Sequence, residues 1–129
     1  MLAYLTAYET AAVDYVHGGE GLLMAPAYAV ARMLEREGLS LQDFDYYEIH
    51  EAFASQVLST LKAWETRSSA RRGSASTPLG SIDRSKLNVK GSSLAAGHPF
   101  AAGPAAGSST CWPSCSPRRP PPTVPVAAA

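Results

Sequence analysis

Apolar positions in the first part of the chain follow a strand-like pattern and then a helical one. Residues Leu2 to Tyr15 are rich in alanine, tyrosine, threonine and valine, and this composition predicts a strand. From Ala25 to Glu37 the apolar residues recur at helical spacing, with Pro26 in the first turn and Gly38 just past the end. The apolar side of this predicted helix consists of Ala27, Val30, Ala31 and Leu34. A strand followed by an amphipathic helix that covers a sheet is the start of an α/β unit.

The same order repeats further along the chain. Ser40 to Asp43 is typical of a short capped turn, and Phe44 to Ile49 is an aromatic-rich run suited to a buried strand. A second helical pattern runs from Glu51 to about Trp64. Its predicted buried stripe consists of Phe53, Val57, Leu61 and Trp64, flanked by Ala54 and Leu58. The fold class indicated is α/β, with two main strands and two helices.

His50 lies where the second predicted strand ends and the second predicted helix begins. Open α/β sheets bind ligands at that edge, where helix dipoles and loop side chains converge. The position therefore favours a functional histidine. A structural histidine bonded to the first amides of the helix is the alternative that position alone leaves open.

Composition and charge restrict the classes of partner. The 129 residues have a formal net charge of zero, but residues 1–50 carry two basic against eight acidic residues, and residues 51–129 carry nine against three. The basic residues are scattered without interleaved aromatic residues, so no nucleic-acid partner is expected. No apolar run reaches membrane-spanning length, and no basic region precedes an apolar one at the N-terminus. A cytoplasmic protein without a membrane partner is therefore expected.

One loop concentrates residues suited to catalysis. In the segment from Ser92 to Phe100, small residues lead to His98, which is flanked by Gly97 and Pro99. Glycine lets a backbone or substrate approach closely, proline fixes the chain direction, and imidazole titrates near neutral pH. These properties suit proton transfer or donation to a developing oxyanion. A histidine in a tight turn is the structural alternative.

Two motifs in this order carry a family resemblance. The first is Glu48-Ile49-His50-Glu51-Ala52-Phe53-Ala54, and the second is Asn88-Val89-Lys90-Gly91-Ser92-Ser93-Leu94-Ala95-Ala96-Gly97-His98-Pro99. Together they resemble the C-terminal half of thiolases, and the His-Glu-Ala-Phe form is similar to the fatty-acid-oxidation branch of 3-ketoacyl-CoA thiolases. Residues 1–102 are thus interpreted as a partial thiolase C-terminal domain that includes the catalytic loop. Residues 66–78 are expected to form an irregular insert.

The resemblance implies an acyltransferase of fatty-acid β-oxidation. In the family, a cysteine thiolate takes an acyl group from a 3-ketoacyl-CoA, releases acetyl-CoA and passes the acyl group to a second CoA. By resemblance, His98 would activate the nucleophile and donate to the thioester oxygen, and His50 would hold a water in the oxyanion site. The residues implied to contact the substrate are Phe53, Gly97, Pro99 and Phe100. Coenzyme A enters as a substrate, and neither a cofactor nor a metal is implied.

The cysteines depart from the family pattern. The family's nucleophilic cysteine belongs to the N-terminal half, and no cysteine occurs here before Cys111. The family's second catalytic cysteine lies in a Cys-x-Gly turn, whereas Cys111 and Cys115 are each followed, two residues later, by a proline. Neither is expected to be catalytic. Since central strands of the family are also unmatched, we expect a chain that is inactive alone and helices whose apolar stripes are partly exposed.

Two segments differ in composition from the rest. Residues 66–77 contain no Leu, Ile, Val or Phe, and residues 103–129 contain seven of the ten prolines and no acidic residue. Both are rich in residues with GC-rich codons, as expected when a GC-rich gene is read in a shifted frame. A frameshift origin is therefore the interpretation, above all for the C-terminal tail. Disorder is expected in both, since neither can bury enough apolar area to offset chain entropy.

Three functions are compatible with these residues. The first is thiolase-type acyl transfer on acyl-CoA and CoA. The second is a non-catalytic partner, or the complementing half of a split thiolase, within a homo- or hetero-oligomer. The third is a proline-rich interaction module that uses residues 118–125, although an out-of-frame tail explains these prolines more simply. A metal site built from the three histidines is not expected, because their spacing matches no ligand pattern.

Overall fold

The structure is a computed structural model that describes residues 6–19, 21–66 and 77–97. Several predictions therefore lie outside the described residues. They concern most of the insert at 66–78, the catalytic-loop residues His98, Pro99 and Phe100, and the tail at 103–129 with its predicted disorder, frameshift origin and proline-rich function.

The first long helix, α1, spans Ala25–Glu37, and both ends are confirmed. Its predicted apolar side is buried in full, and Ala29 and Met33 are buried as well. Gly38 ends the helix in the left-handed region at φ 66°, where its N–H donates to the carbonyl of Glu35 at 3.4 Å. Glycine suits this position because it has no Cβ to oppose a positive φ.

The capped turn after α1 is also confirmed. Leu41–Asp43 forms a single 3₁₀ turn, and Leu41 is buried. The Asp43 carboxylate accepts from the Ser40 N–H at 2.7 Å and from the Ser40 hydroxyl at 2.9 Å. Because these hydrogen bonds favour the charged carboxylate, they hold the pKa of Asp43 below its usual value.

Neither predicted strand is present in the described residues. The described part of the first, residues 6–15, has no regular structure. The second, Phe44 to Ile49, is largely buried, and among the described residues it pairs through one parallel bridge. In this bridge the Tyr47 N–H donates to the Lys86 carbonyl at 3.0 Å, and the Asn88 N–H donates to the Tyr47 carbonyl at 2.9 Å. Strand propensity reflects fit to a pleated surface, and a strand needs a neighbouring ladder to form. For Phe44 to Ile49 the prediction was therefore right about burial and wrong about regular strand pairing.

The second long helix, α2, spans Ala54–Glu65, so it begins three residues later than predicted. Phe53 was predicted in its buried stripe, but it lies before the first helical residue in extended backbone and is 64% exposed. Leu58 is exposed too. The stripe that is buried consists of Val57, Thr60, Leu61 and Trp64. Thr60 belongs to it because it lies one helical turn from Val57.

The core forms where α1 and α2 pack against each other and against the segment between them. Its buried members are Ala27, Val30, Leu34, Leu41, Phe44, Tyr47, Ile49, Val57, Leu61 and Trp64. Trp64 Nε1 donates to the Ala27 carbonyl at 3.3 Å and thereby joins the two helices. Partial exposure of the α1 stripe was expected and is wrong, because the intervening segment and the partly buried residues Leu79, Ile82 and Leu87 add to this core. Within the described ranges, neither long helix is long and apolar enough to cross a membrane.

Candidate active site

The first motif lies at the junction predicted for it. His50 is partly buried, follows the buried segment 44–49, and precedes α2 by a short irregular stretch. The predicted placement beside a helix start is thus confirmed, although the preceding segment is not a regular strand. The role of His50 stays a prediction.

Asn88 is the first residue of the second motif, and its side chain pairs with the backbone of Ile49 next to the parallel bridge. Its Oδ1 accepts from the Ile49 N–H at 2.9 Å, and its Nδ2 donates to the Ile49 carbonyl at 3.0 Å. The side-chain amide thus offers Ile49 the donor and acceptor that a neighbouring strand would offer. Asn88 has a φ of 49°, a left-handed conformation that asparagine tolerates better than most residues.

Glu51 joins the two motifs from the other side. Its Oε1 accepts from Asn88 Nδ2 at 2.8 Å, and its Oε2 accepts from the Leu94 N–H at 3.1 Å. Its own N–H donates to Ser93 Oγ at 2.8 Å. The buried Ser92 hydroxyl adds a hydrogen bond to the Ile49 carbonyl at 3.2 Å. Six hydrogen bonds between described residues therefore hold residues 49–51 against residues 88–94, and we call this set the motif junction.

The segment predicted as a loop before His98 contains a short helix. This helix, α3, spans Ser93–Ala96 and begins beside the motif junction. Its last turn closes through the Gly97 N–H, which donates to the Ser93 carbonyl at 2.8 Å. Gly97 has a φ of 87° and a ψ of −175°, a backbone region that is essentially restricted to glycine. A Cβ there would meet no atom within 4 Å, so the requirement for glycine comes from the backbone and not from crowding.

Both motifs also place an apolar side chain in contact with solvent. Phe53 is 64% exposed and Leu94 is 67% exposed. Exposure leaves Phe53 accessible to a ligand, which is compatible with the predicted substrate contact. The contact itself stays a prediction.

The shifted pKa values near the candidate site belong to Tyr47 and Asp83, whose side chains have structural roles. Burial raises the pKa of the Tyr47 hydroxyl, and the carboxylates of Asp83 and Asp43 raise it further. This hydroxyl donates to the Leu41 carbonyl at 2.6 Å, so its proton takes part in a hydrogen bond within the core. Hydrogen bonds from the hydroxyl and the N–H of Ser85 hold the pKa of Asp83 below its usual value. In the described part of the chain, no three histidine, cysteine or carboxylate side chains converge as metal ligands.

Of the predicted site residues, the structure describes His50, Phe53 and Gly97. The first two lie at the start of α2 and the third at the end of α3. Sequence reasoning assigned no role to Glu51, Asn88 or Ser93, although all three stand inside the motifs. The available signal was that each of these three polar residues lies within three positions of a motif glycine or of His50.

The chain is similar to proteins of one family. Residues 1–112 match the family model described as "Thiolase, C-terminal domain". A 3-ketoacyl-CoA thiolase of Pseudoalteromonas atlantica is 44% identical over 102 residues, and one of Shewanella amazonensis is 42% identical; each match covers 78% of this chain and 23% of the relative. The peroxisomal 3-ketoacyl-CoA thiolase of Saccharomyces cerevisiae, a five-layered structure with two core domains of identical topology, aligns with a TM-score of 0.60 and 32% identity, covering 84% of this chain and 26% of that chain. The chain thus spans about a quarter of the length of these relatives.

Proposed function

The chain belongs to the thiolase family, and from this premise we propose that it contributes His50 and His98 to acyl transfer between a 3-ketoacyl-CoA and coenzyme A. The substrates are a 3-ketoacyl-CoA and CoA, and the products are a shortened acyl-CoA and acetyl-CoA. The chemistry needs a thiolate nucleophile, a stabilised oxyanion and an acid, of which the chain supplies the last two.

The motif junction is the observation that supports this proposal. It fixes the residues on both sides of His50 to the segment that leads through α3 to Gly97. His98 follows Gly97 directly in the sequence. Two motifs that are far apart in the chain therefore meet, as a composite active site requires.

The proposed reaction has two halves. In the first, a cysteine thiolate attacks the C3 carbonyl carbon of the 3-ketoacyl-CoA and the C2–C3 bond breaks. The electron pair of that bond forms the enolate of acetyl-CoA, which takes up the proton that His98 had accepted from the cysteine. In the second, the thiol of another CoA transfers its proton to His98, its sulfur attacks the acyl-enzyme thioester, and the cysteine leaves as a thiolate. His98 accepts the proton of the nucleophile and donates to the thioester oxygen, and His50 orients a water at the same oxygen.

The nucleophilic thiol comes, in this proposal, from protein outside these 129 residues. Cysteine occurs in the chain only at positions 111 and 115, where the following prolines depart from a Cys-x-Gly turn. We therefore propose that the 129 residues alone turn over no substrate and gain activity when a nucleophile-bearing thiolase segment is supplied.

The test is a thiolysis assay with acetoacetyl-CoA and CoA. The full chain is assayed alone and together with the part of the Pseudoalteromonas atlantica thiolase that the 102 matching residues leave out. We expect turnover only with the second chain, and a loss of at least about 100-fold in kcat for His98→Ala. His17→Ala, which changes an exposed histidine in a turn, is the matched control and should keep full activity.

Three outcomes would contradict parts of the proposal. Turnover by the chain alone would show that a nucleophile lies within it. Full activity of His98→Ala in the mixture would remove the catalytic histidine. A stable complex of the two chains without turnover would favour a non-catalytic thiolase partner instead.

A further inference from the structure

We propose that Glu51 is a positioning residue that fixes the polypeptide on either side of the active site, next to His50 and ahead of His98. The proposal rests on the proposed function for its catalytic meaning, but its structural part can be tested separately. Glu51 lies one peptide bond from His50 and is hydrogen-bonded to the helical turn that ends at Ala96, two residues before His98 in the sequence. One side chain thus spans the distance between the two motifs.

The carboxylate is suited to this task because its two oxygens bind different segments. Oε1 accepts from the side chain of Asn88, which also holds both backbone groups of Ile49. Oε2 accepts from the Leu94 N–H, which lies in the first turn of α3 and has no acceptor within the helix. Hydrogen bonds to a charged acceptor are about twice as strong as neutral ones. The carboxylate therefore fixes the turn of α3 more firmly than a neutral group would.

The main chain of Glu51 completes the attachment. Its N–H donates to the buried Ser93 hydroxyl, so backbone and side chain of one residue hold consecutive residues of α3. Such a two-point contact limits rotation of the turn as well as translation. Since α3 has a single turn, its orientation depends on these contacts more than on its own hydrogen bonds.

A role of Glu51 as a general base is less well supported by the same geometry. Both carboxylate oxygens already accept hydrogen bonds from protein donors. These hydrogen bonds direct both oxygens at segments of the protein itself. The side chain therefore acts through the residues beside it, and displacements of about 1 Å at reacting groups can cost about 100-fold in rate.

The structural test uses NMR on the full chain. The Leu94 N–H and the Asn88 side-chain N–H both donate to Glu51, so their proton resonances should shift together as the Glu51 carboxylate is protonated. In Glu51→Gln this shared shift should disappear, because glutamine does not titrate and turns an NH₂ group towards one of the two donors. Glu65→Gln, at a surface carboxylate that pairs with Lys62, is the matched control and should leave the shift unchanged.

The functional test adds the kinetics of the complemented chain. Glu51→Gln should lower kcat about tenfold or more while KM changes less than about twofold, because positioning and not substrate affinity is lost. Ser93→Ala removes the acceptor of the Glu51 N–H but leaves the carboxylate in place, so it should retain the shared NMR shift and lose less activity.

The two tests separate the possible failures. A wild-type spectrum in which Leu94 and Asn88 shift independently overturns the positioning proposal, and this measurement needs no variant to fold. An unchanged kcat in Glu51→Gln, with the wild-type mixture active, overturns it as well. A shared shift in a mixture that never turns over acetoacetyl-CoA supports the positioning contact and contradicts the proposed function.

Discussion

The helical core and the motif junction are held together by different physical means. In the described part of the chain, ten buried residues of α1, α2 and the segment between them form the core, where burial of apolar area is the main stabilising term and is not directional. The motif junction consists of six hydrogen bonds among polar side chains and backbone groups. Each of these bonds depends on the identity and direction of one donor and one acceptor. The core should therefore tolerate changes of residue type at constant volume, and the junction should not.

The largest expected effect comes from opening a cavity in the core. Leu34 is 1% exposed, and Leu34→Ala should lower the free energy of unfolding by about 2–5 kcal/mol. Urea unfolding of the full chain followed by far-UV circular dichroism measures this change. Leu58→Ala is the matched control, since Leu58 is 52% exposed and should cost far less. An equal loss in both variants would contradict the assignment of the core.

The tolerance of the core can be tested at the same position. Leu34→Met keeps the volume of the side chain and its apolar character, so it should cost less than about 1.5 kcal/mol. A loss as large as that of the alanine variant would show that the core depends on the shape of this side chain and not only on its volume.

The next largest effect is expected at Asn88. Asn88→Ala leaves the N–H of the buried Ile49 without its side-chain acceptor and leaves the Ile49 carbonyl with the Ser92 hydroxyl as its side-chain donor, which should cost about 1–3 kcal/mol. Urea unfolding gives the global value, and hydrogen exchange at the Ile49 amide should accelerate. Lys90→Ala, at an exposed position in the same segment, is the control.

Asn88→Asp tests whether the motif junction depends on the direction of its hydrogen bonds or on the volume of the side chain. Aspartate has nearly the same size, but it has no N–H to donate to Ile49 and it places a second carboxylate beside Glu51. We therefore expect a loss at least as large as that of the alanine variant. An unchanged free energy of unfolding would mean that the motif junction, like the core, depends on side-chain volume and not on hydrogen-bond direction.

The sequence allowed prediction of the parts of the fold that depend on local signals. The helix α1 was predicted to the residue because apolar spacing, Pro26 and Gly38 all lie within the segment that they define. The start of α2 was wrong because Phe53 has the apolar spacing of the helix, although it lies in extended backbone ahead of it. In the described residues neither predicted strand forms a regular paired element, since pairing depends on a neighbour that local composition does not specify.

The candidate site was predictable as a pair of motifs and not as a structure. The thiolase resemblance of the two motifs is confirmed by the comparisons. The resemblance implied that His50 and His98 serve one oxyanion site. The hydrogen bonds between the motifs were not predicted, because the bonded residues are between 37 and 43 positions apart, as in Asn88 to Glu51 and Leu94 to Glu51. Polar side chains at such separations have no periodicity that reveals a partner. Only the fold shows that Glu51 has its partners in the second motif.

The smallest predicted effect concerns Asp43, whose contact with Ser40 is local and solvent-exposed. The folded-state pKa of Asp43 is lowered by the Ser40 N–H and hydroxyl, so the carboxylate stabilises the fold at pH values above its unfolded pKa of about 3.9. This contribution is lost as the pH falls through the lower folded pKa. In Asp43→Asn the side chain stays neutral, and the decrease in Tm on acidification below about pH 4 should be smaller than in the wild type. Glu35→Gln, which changes an exposed carboxylate on α1, serves as the control, and a wild-type acid dependence in Asp43→Asn would show that the Ser40 contact does not contribute to stability.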